Sequence, residues 1–156
     1  MNYEKLDSIV LSLKDELLAD MKRWIAVPSV LSEPAGPNAP FGKANREMLD
    51  LALETARKYG FEARDVDGFA GDVSMGSGEK TLGILCHLDV VPAGDSWTKD
   101  PWGAEIEDGK IYGRGTMDDK GPAVTALYCL KAHKDEGFCP KRKIKLIVGC
   151  NEESGW

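Results

Sequence analysis

The run Leu82-Gly83-Ile84-Leu85-Cys86-His87-Leu88 is apolar at every position except Gly83 and His87. Seven residues without a polar alternation read as a strand buried on both faces, and such a strand belongs at the centre of a sheet. On its amino-terminal side, Phe61 to Val66 and Phe69 to Met75 read as two shorter strands. Two helices precede them. From Leu6 through Ile25 the apolar residues Leu6, Ile9, Leu13, Leu17, Met21 and Trp24 keep the three-to-four spacing of one helical face. Pro28 stops that helix, and Ser29 to Phe41, with Pro34, Pro37 and Pro40, is a loop without either periodicity. In the second helix Met48, Leu51, Ala52, Thr55 and Tyr59 share a side, and Gly60 stands where a left-handed carboxyl cap is wanted.

On the carboxyl-terminal side, Gly94 to Ala104 reads as a loop, and Glu105 to Tyr112 as a hairpin turning at Asp108-Gly109. Gly113 to Gly121 is a second loop. Pro122 then occupies the first turn of a helix that runs to about Glu136, and Lys143 to Cys150 forms another apolar strand. Strands and helices alternate, which makes the fold class α/β.

A formal charge of −6 over 156 residues opposes binding to nucleic acid or anionic lipid. The densest basic run, Lys141, Arg142, Lys143 and Lys145, alternates with Ile144 and Leu146 and reads as the entry to a half-exposed strand. Met1 to Ser8 lacks the continuous apolar stretch of a secretory signal, and no segment is long enough to span a membrane. The four cysteines, at 86, 129, 139 and 150, form no C-x-x-C pair. Their spacing supports neither a structural zinc site nor a redox motif, and the expected setting is reducing and cytoplasmic.

Three acidic or imidazole clusters carry the chemistry. His87-Leu88-Asp89 ends the buried strand, and side chains two apart on a strand share a face, so Asp89 can reach the His87 ring, as partners of metal-binding imidazoles do. A structural pair would look the same. Gly113-Arg114-Gly115-Thr116-Met117-Asp118-Asp119-Lys120-Gly121 places two adjacent carboxylates ahead of a helix. One of them could be an N-cap, but the second is costly beside its neighbour unless a cation lies between them or it points elsewhere. Asn151-Glu152-Glu153-Ser154-Gly155 leaves the last strand, where one carboxylate can bind a metal while the other stands off as a base, or both can line a solvated turn. All three clusters are expected at the carboxyl ends of strands, the usual address of sites in open α/β sheets.

Together these segments resemble the aminoacylase/dipeptidase family of co-catalytic zinc peptidases: H-L-D-V-V-P at His87 to Pro92, G-R-G-T-M-D-D-K-G at Gly113 to Gly121, and N-E-E-S-G at Asn151 to Gly155. The ending E-E-S-G-W and the segment W-T-x-D-P-W at Trp97 to Trp102 are similar to the dipeptidase V branch. The resemblance implies a phosphorylase/hydrolase-like catalytic domain with a mixed sheet flanked by helices. It implies two zinc ions, with His87 on one, Glu153 on the other and Asp118 bridging both through a cis Asp118-Asp119 peptide. Asp89 would orient His87, and Glu152 would be the general base acting on a metal-bridging water. The implied substrate is a dipeptide or short peptide with a free amino terminus. The alternatives are an N-acyl amino acid deacylase with the same zinc chemistry and a non-catalytic scaffold. The family pattern also includes a further carboxylate, a second ligand histidine and a lid domain, and His133, near the end of a helix, does not take the histidine's place. Residues 1–156 therefore read as the amino-terminal portion of a catalytic domain. By itself that portion is expected to be inactive, to bind zinc poorly and to self-associate through an exposed edge.

Overall fold

The computed structural model describes residues 3–155; Met1, Asn2 and Trp156, the last closing the E-E-S-G-W segment, lie outside them. Helices α1 (Tyr3–Ser12), α2 (Lys14–Ile25) and α3 (Lys43–Lys58) come first. The expected first helix is thus interrupted at Leu13. Ser12 Oγ donates to the Ile9 carbonyl at 2.7 Å, and the Leu13 N–H is shared between the Ile9 and Val10 carbonyls. Such back-bonding by a serine hydroxyl competes with the helical ladder and bends it. The apolar stripe survives the bend: Leu13 and Leu17 pack on the core, and Met21 and Trp24 are buried in it.

Gly42 caps the start of α3 at φ 95°, where a side chain would meet Ser32 Oγ at 1.9 Å. Along α3 the expected face is buried at Met48, Ala52, Thr55 and Tyr59 and half-buried at Leu51, and Gly60 ends it at φ 73°. Strands β1 (Glu62–Val66) and β2 (Ala70–Met75) form a hairpin, turned by Asp67 and Gly68 at φ 52° and 76°. Strand β3 (Thr81–His87) follows. The hairpin β4 (Glu105–Glu107) and β5 (Lys110–Tyr112) turns at Asp108-Gly109 as read and forms a separate two-stranded sheet. Then come α4 (Lys120–Glu136), β6 (Lys143–Gly149) and a single turn, α5 (Glu152–Gly155).

The main sheet runs β1-β2-β6-β3, with β3 parallel to β6 and the other pairs antiparallel. This is the expected α/β arrangement of a mixed sheet with flanking helices. Val73, Leu146 and Val148 lie on one face and close the core with Leu49, Leu53 and Leu127. The opposite face carries Arg64, Asp72 and Lys145, joined through the Asp72 carboxylate.

One expectation is corrected. Strand β3 is not central: among the described residues β6 is its sole partner, and Leu82 and Leu85 are 50% and 65% exposed. An unbroken apolar run reports that a strand is suited to burial on both faces. It does not report which segment covers it. The placement matters for the site, because parallel pairing of β3 with β6 sets His87 beside Gly149. The segments that leave the two strands therefore start side by side.

Candidate metal centre

Two of the three clusters leave strands of the main sheet, His87 to Asp89 after β3 and Asn151 to Glu153 after β6. The third differs from expectation. Asp118 and Asp119 follow the separate hairpin and enter α4, so their position depends on the loop from Gly113 to Gly121. That loop is closed by the Gly121 N–H on the Gly115 carbonyl, and a side chain on Gly121 would strike the Thr116 carbonyl at 1.9 Å. The Trp97 segment docks on the loop: Arg114 N–H donates to the Pro101 carbonyl at 2.7 Å, and the Arg114 guanidinium lies over the Trp97 ring.

His87, Asp118 and Glu153 converge, with one potential ligand atom from each lying within 4.8 Å of the others. His87 Nε2 is 3.0 Å from Asp118 Oδ1 and 3.9 Å from Glu152 Oε2. The peptide between Asp118 and Asp119 is cis. It splits the pair: Asp118 faces the imidazole, while Asp119 Oδ2 accepts the backbone N–H of His87 at 3.0 Å. Asp119 occupies the N-cap position of α4, yet its side chain makes no capping bond. The plain capping account of this acidic pair therefore falls away.

Asp89 does more than sequence alone indicated, and by a different route. The ring Nδ1 of His87 lies 3.0 Å from the Asp89 backbone carbonyl and 3.4 Å from its carboxylate. The carboxylate is buried and accepts two backbone N–H groups, Glu152 N to Oδ1 and Glu153 N to Oδ2, each at 3.0 Å. One residue thus aims the imidazole through its carbonyl and fixes both glutamates through its side chain. The orienting carboxylate–imidazole bond is in this way replaced by a carbonyl–imidazole bond, because the carboxylate is drawn to the free amides at the start of α5.

These contacts set the electrostatics. Burial pulls the His87 pKa down, but the Asp118 carboxylate and the Asp89 carbonyl outweigh it and hold it above the ordinary value. Glu153 is also raised, by desolvation and then by Asp118, Asp89 and Glu152, with His87 opposing. Cys86, the thiol nearest the cluster, is pushed up to about 12 by burial and by Asp119. A thiol held protonated there is no nucleophile at neutral pH. Leu85, Cys86, His87, Asp119 and Glu152 line a shallow cleft of about 230 Å³.

Beyond offering one of the two adjacent aspartates as an N-cap, the sequence reading assigned Asp119 and Lys120 no role. Lys120 is fully buried, and burial pushes its ammonium down to about 7 against the pull of Asp89. Its only signal was its place in the motif. His133 lies in the last turn of α4, its Nδ1 facing the Cys129 carbonyl, and is not part of the cluster.

Residues 83–156 match the family model described as peptidase family M20/M25/M40. Over those residues the chain is similar to the M20 peptidases. It is 45% identical, over all of its length, to the Beta-Ala-Xaa dipeptidase of Lactobacillus delbrueckii subsp. lactis, of which it covers 33%. Among solved structures it is similar to human carnosine dipeptidase 1, with 28% identity and a TM-score of 0.83, covering 97% of this chain and 35% of that one. It is also similar to the M20 family metallo-carboxypeptidase Sso-CP2 of Sulfolobus solfataricus, with 26% identity and a TM-score of 0.74 over 88% of this chain and 31% of that one. The chain thus spans about a third of the length of the M20 relatives it matches.

Proposed function

We propose that these residues carry part of the active site of a metal-dependent dipeptidase, with His87, Asp118 and Glu153 as ligands. The observation that carries this reading is at His87. Its Nδ1 faces a carbonyl oxygen and must carry the proton, which leaves the Nε2 lone pair aimed at an Asp118 oxygen 3.0 Å away. Two acceptors at that distance need a proton or a cation between them. Glu153 adds a third donor within reach; desolvation first, and then the nearby carboxylates led by Asp118, raise its pKa, and a cation would relieve the second of these. Imidazole and carboxylate oxygens are an ordinary donor set for zinc.

A divalent cation there, zinc by the family pattern, supplies Lewis acidity to a water and to the substrate carbonyl. The chain's own residues supply the rest. Asp89 holds His87 in the tautomer that presents Nε2. Glu152 stands 3.9 Å from that nitrogen, with its side chain 47% exposed, and is free to take a proton from the attacking water and return it to the leaving amine. His87, Asp118 and Glu153 would hold the metal, and for two ions they would supply fewer than the three protein ligands per ion that catalytic zinc sites commonly use.

We propose further that residues 1–156 are the amino-terminal portion of the catalytic domain, that the remaining ligands lie in sequence its longer relatives also have, and that the bare edge of β3 supports self-association when nothing else covers it. By itself this portion is expected to be inactive. The substrate is a dipeptide or short peptide, and the unpaired cysteines suit the reducing cytoplasm. No helix among the described residues is long and apolar enough to cross a membrane.

The test is metal analysis together with hydrolysis of dipeptides and acetyl-amino acids by the complete polypeptide that carries these residues. Bound divalent metal and metal-dependent dipeptide cleavage are expected. Cleavage of acetyl-amino acids alone would reassign it as a deacylase, and inactivity on both as a scaffold.

A further inference from the structure

The lysine in the D-D-K-G segment has an unusual position. Lys120 is the first residue of α4, where the helix dipole disfavours a cation. It is nevertheless fully buried. Its Nζ donates to the Trp24 carbonyl at 3.1 Å and to the Val27 carbonyl at 2.5 Å. Trp24 lies in the last turn of α2 and Val27 just beyond it, so the ammonium meets the end of a helix where the dipole favours a cation, as a second donor to carbonyls that also accept the Val27 N–H at 3.3 Å and the Ser29 N–H at 2.9 Å.

The same stretch of chain is tied to the other half of the site. Ser29 is buried; its hydroxyl donates to the Leu88 carbonyl at 2.6 Å, and its carbonyl accepts the Val90 N–H at 3.0 Å. Those two residues flank Asp89. A path of buried hydrogen bonds therefore runs from the Asp118–Asp119 loop through Lys120 to Val27, along two residues of backbone to Ser29, and from there to the segment after His87. The loop closes on the lysine stem and on the segment after His87 together: at Gly115, φ 89°, an added methyl would stand 3.1 Å from Val90 Cγ1, 3.2 Å from Lys120 Cδ and 3.4 Å from Cγ.

We infer that Lys120 is a positioning residue for the proposed metal centre, holding the Asp118–Asp119 loop in register with the His87 strand end by binding the carbonyls of Trp24 and Val27. The inference rests on the proposed function for its consequence, but the positioning itself can be measured without metal.

The experiment uses the complete polypeptide and compares Lys120→Met with Asp20→Asn. The latter loosens helix packing at a buried carboxylate outside the site and controls for general softening. In ion-free protein, K120M is expected to raise amide exchange at Gly121 and Thr116 at least tenfold while exchange in β2 and β6 stays unchanged. With cobalt(II) as the probe, K120M should weaken binding at least tenfold in chelator competition and alter the visible absorption of the bound ion, whereas D20N should bind it as the wild type does. If K120M does not fold, Lys120→Gln, which keeps a donor of shorter reach, replaces it with the same expectations. Wild-type exchange in the loop of the lysine variant overturns the inference. So does an equal change in D20N. Loop loosening in K120M, with a wild-type protein that binds no cobalt, would uphold the positioning and overturn the proposed function instead.

Discussion

Two aspartates, Asp20 and Asp89, are 3% and 1% exposed, and each accepts at least two hydrogen bonds. Asp20 takes its bonds from the hydroxyls of Tyr59 and Tyr128 and from Arg23, joining α2, α3 and α4 in the core. Asp89 takes its bonds from the backbone of Glu152 and Glu153 and presents its carbonyl to His87. A buried carboxylate is costly in either place and must be fully bonded. What differs is the group on the far side of the bonds. Behind Asp20 there are phenols packed edge to face, and behind Asp89 there are ionisable groups facing a cleft. Burial and bonding alone do not mark a functional carboxylate; the chemistry of its partners does.

The largest expected effect sharpens that distinction. In the complete polypeptide, Glu152→Gln should lower kcat by about 10² to 10⁴, the usual worth of a general base. Metal content and melting temperature should stay close to wild type, since the glutamate touches water and its backbone remains held by Asp89. Near-normal turnover would remove Glu152 from the proposed role.

Asp20→Asn is expected to act in the opposite sense. Replacing a buried charge that three donors address should cost about 3 kcal/mol, read by denaturant titration. Turnover per folded molecule should not change. A loss of kcat at temperatures where the variant is folded would break the comparison, because it would show that the helix cluster reaches the site.

Asp89→Asn comes next. The amide nitrogen cannot accept an N–H, so one of the two bonds to Glu152 and Glu153 is lost. Second partners of metal ligands are typically worth about 10- to 100-fold in metal affinity, and a loss in that range is expected here with a smaller change in stability.

Acidification offers a gentler probe of the same pair. Burial raises the pKa of Asp20, but the bonds from Tyr59, Tyr128 and Arg23 outweigh it and hold the group below its ordinary value. A depressed folded-state pKa contributes stability above the unfolded value, near 3.9, and loses it as pH falls through the folded value. The wild type should therefore lose stability below about pH 4 more steeply than D20N. Parallel curves would show that Asp20 carries no such linkage.

The comparison also explains what was legible in sequence. Asp89 could be found because it stands two residues from a histidine at the end of an apolar run, so the pattern itself brings the groups together. Asp20 could not, because an aspartate between Ala19 and Met21 on an amphipathic helix reads as a solvated position; its tyrosines are 39 and 108 residues away. Lys120 failed for the same reason, its carbonyl partners being 93 and 96 residues distant. The helices, the hairpin at Asp108-Gly109 and the convergence of His87, Asp118 and Glu153 were readable from local periodicity, turn chemistry and motif. The edge position of β3 and the break at Leu13 were not, since one depends on what pairs with a strand and the other on a single serine hydroxyl.

The smallest expected effect tests the intermediate case. Asp72 lies on the open face of the sheet, where Lys145 Nζ meets its Oδ2 at 2.5 Å, Arg64 reaches the same oxygen at 3.4 Å, and Ser74 bonds the other. Burial raises its pKa, but Lys145, Ser74 and Arg64 together hold it low, so in direction it resembles Asp20. Its partners differ. The Arg64 side chain is 70% exposed and that of Lys145 27%, so water competes for both cations and each loses side-chain entropy in holding the contact. Pairs of this kind are worth about 1 kcal/mol or less, and Asp72→Asn should cost no more than that. The cost should shrink further in 1 M salt, where the screening length falls to about 3 Å. A salt-insensitive loss near 3 kcal/mol would place Asp72 with Asp20 and show that covering by the sheet alone, without aromatic partners, is enough to make a carboxylate part of the core.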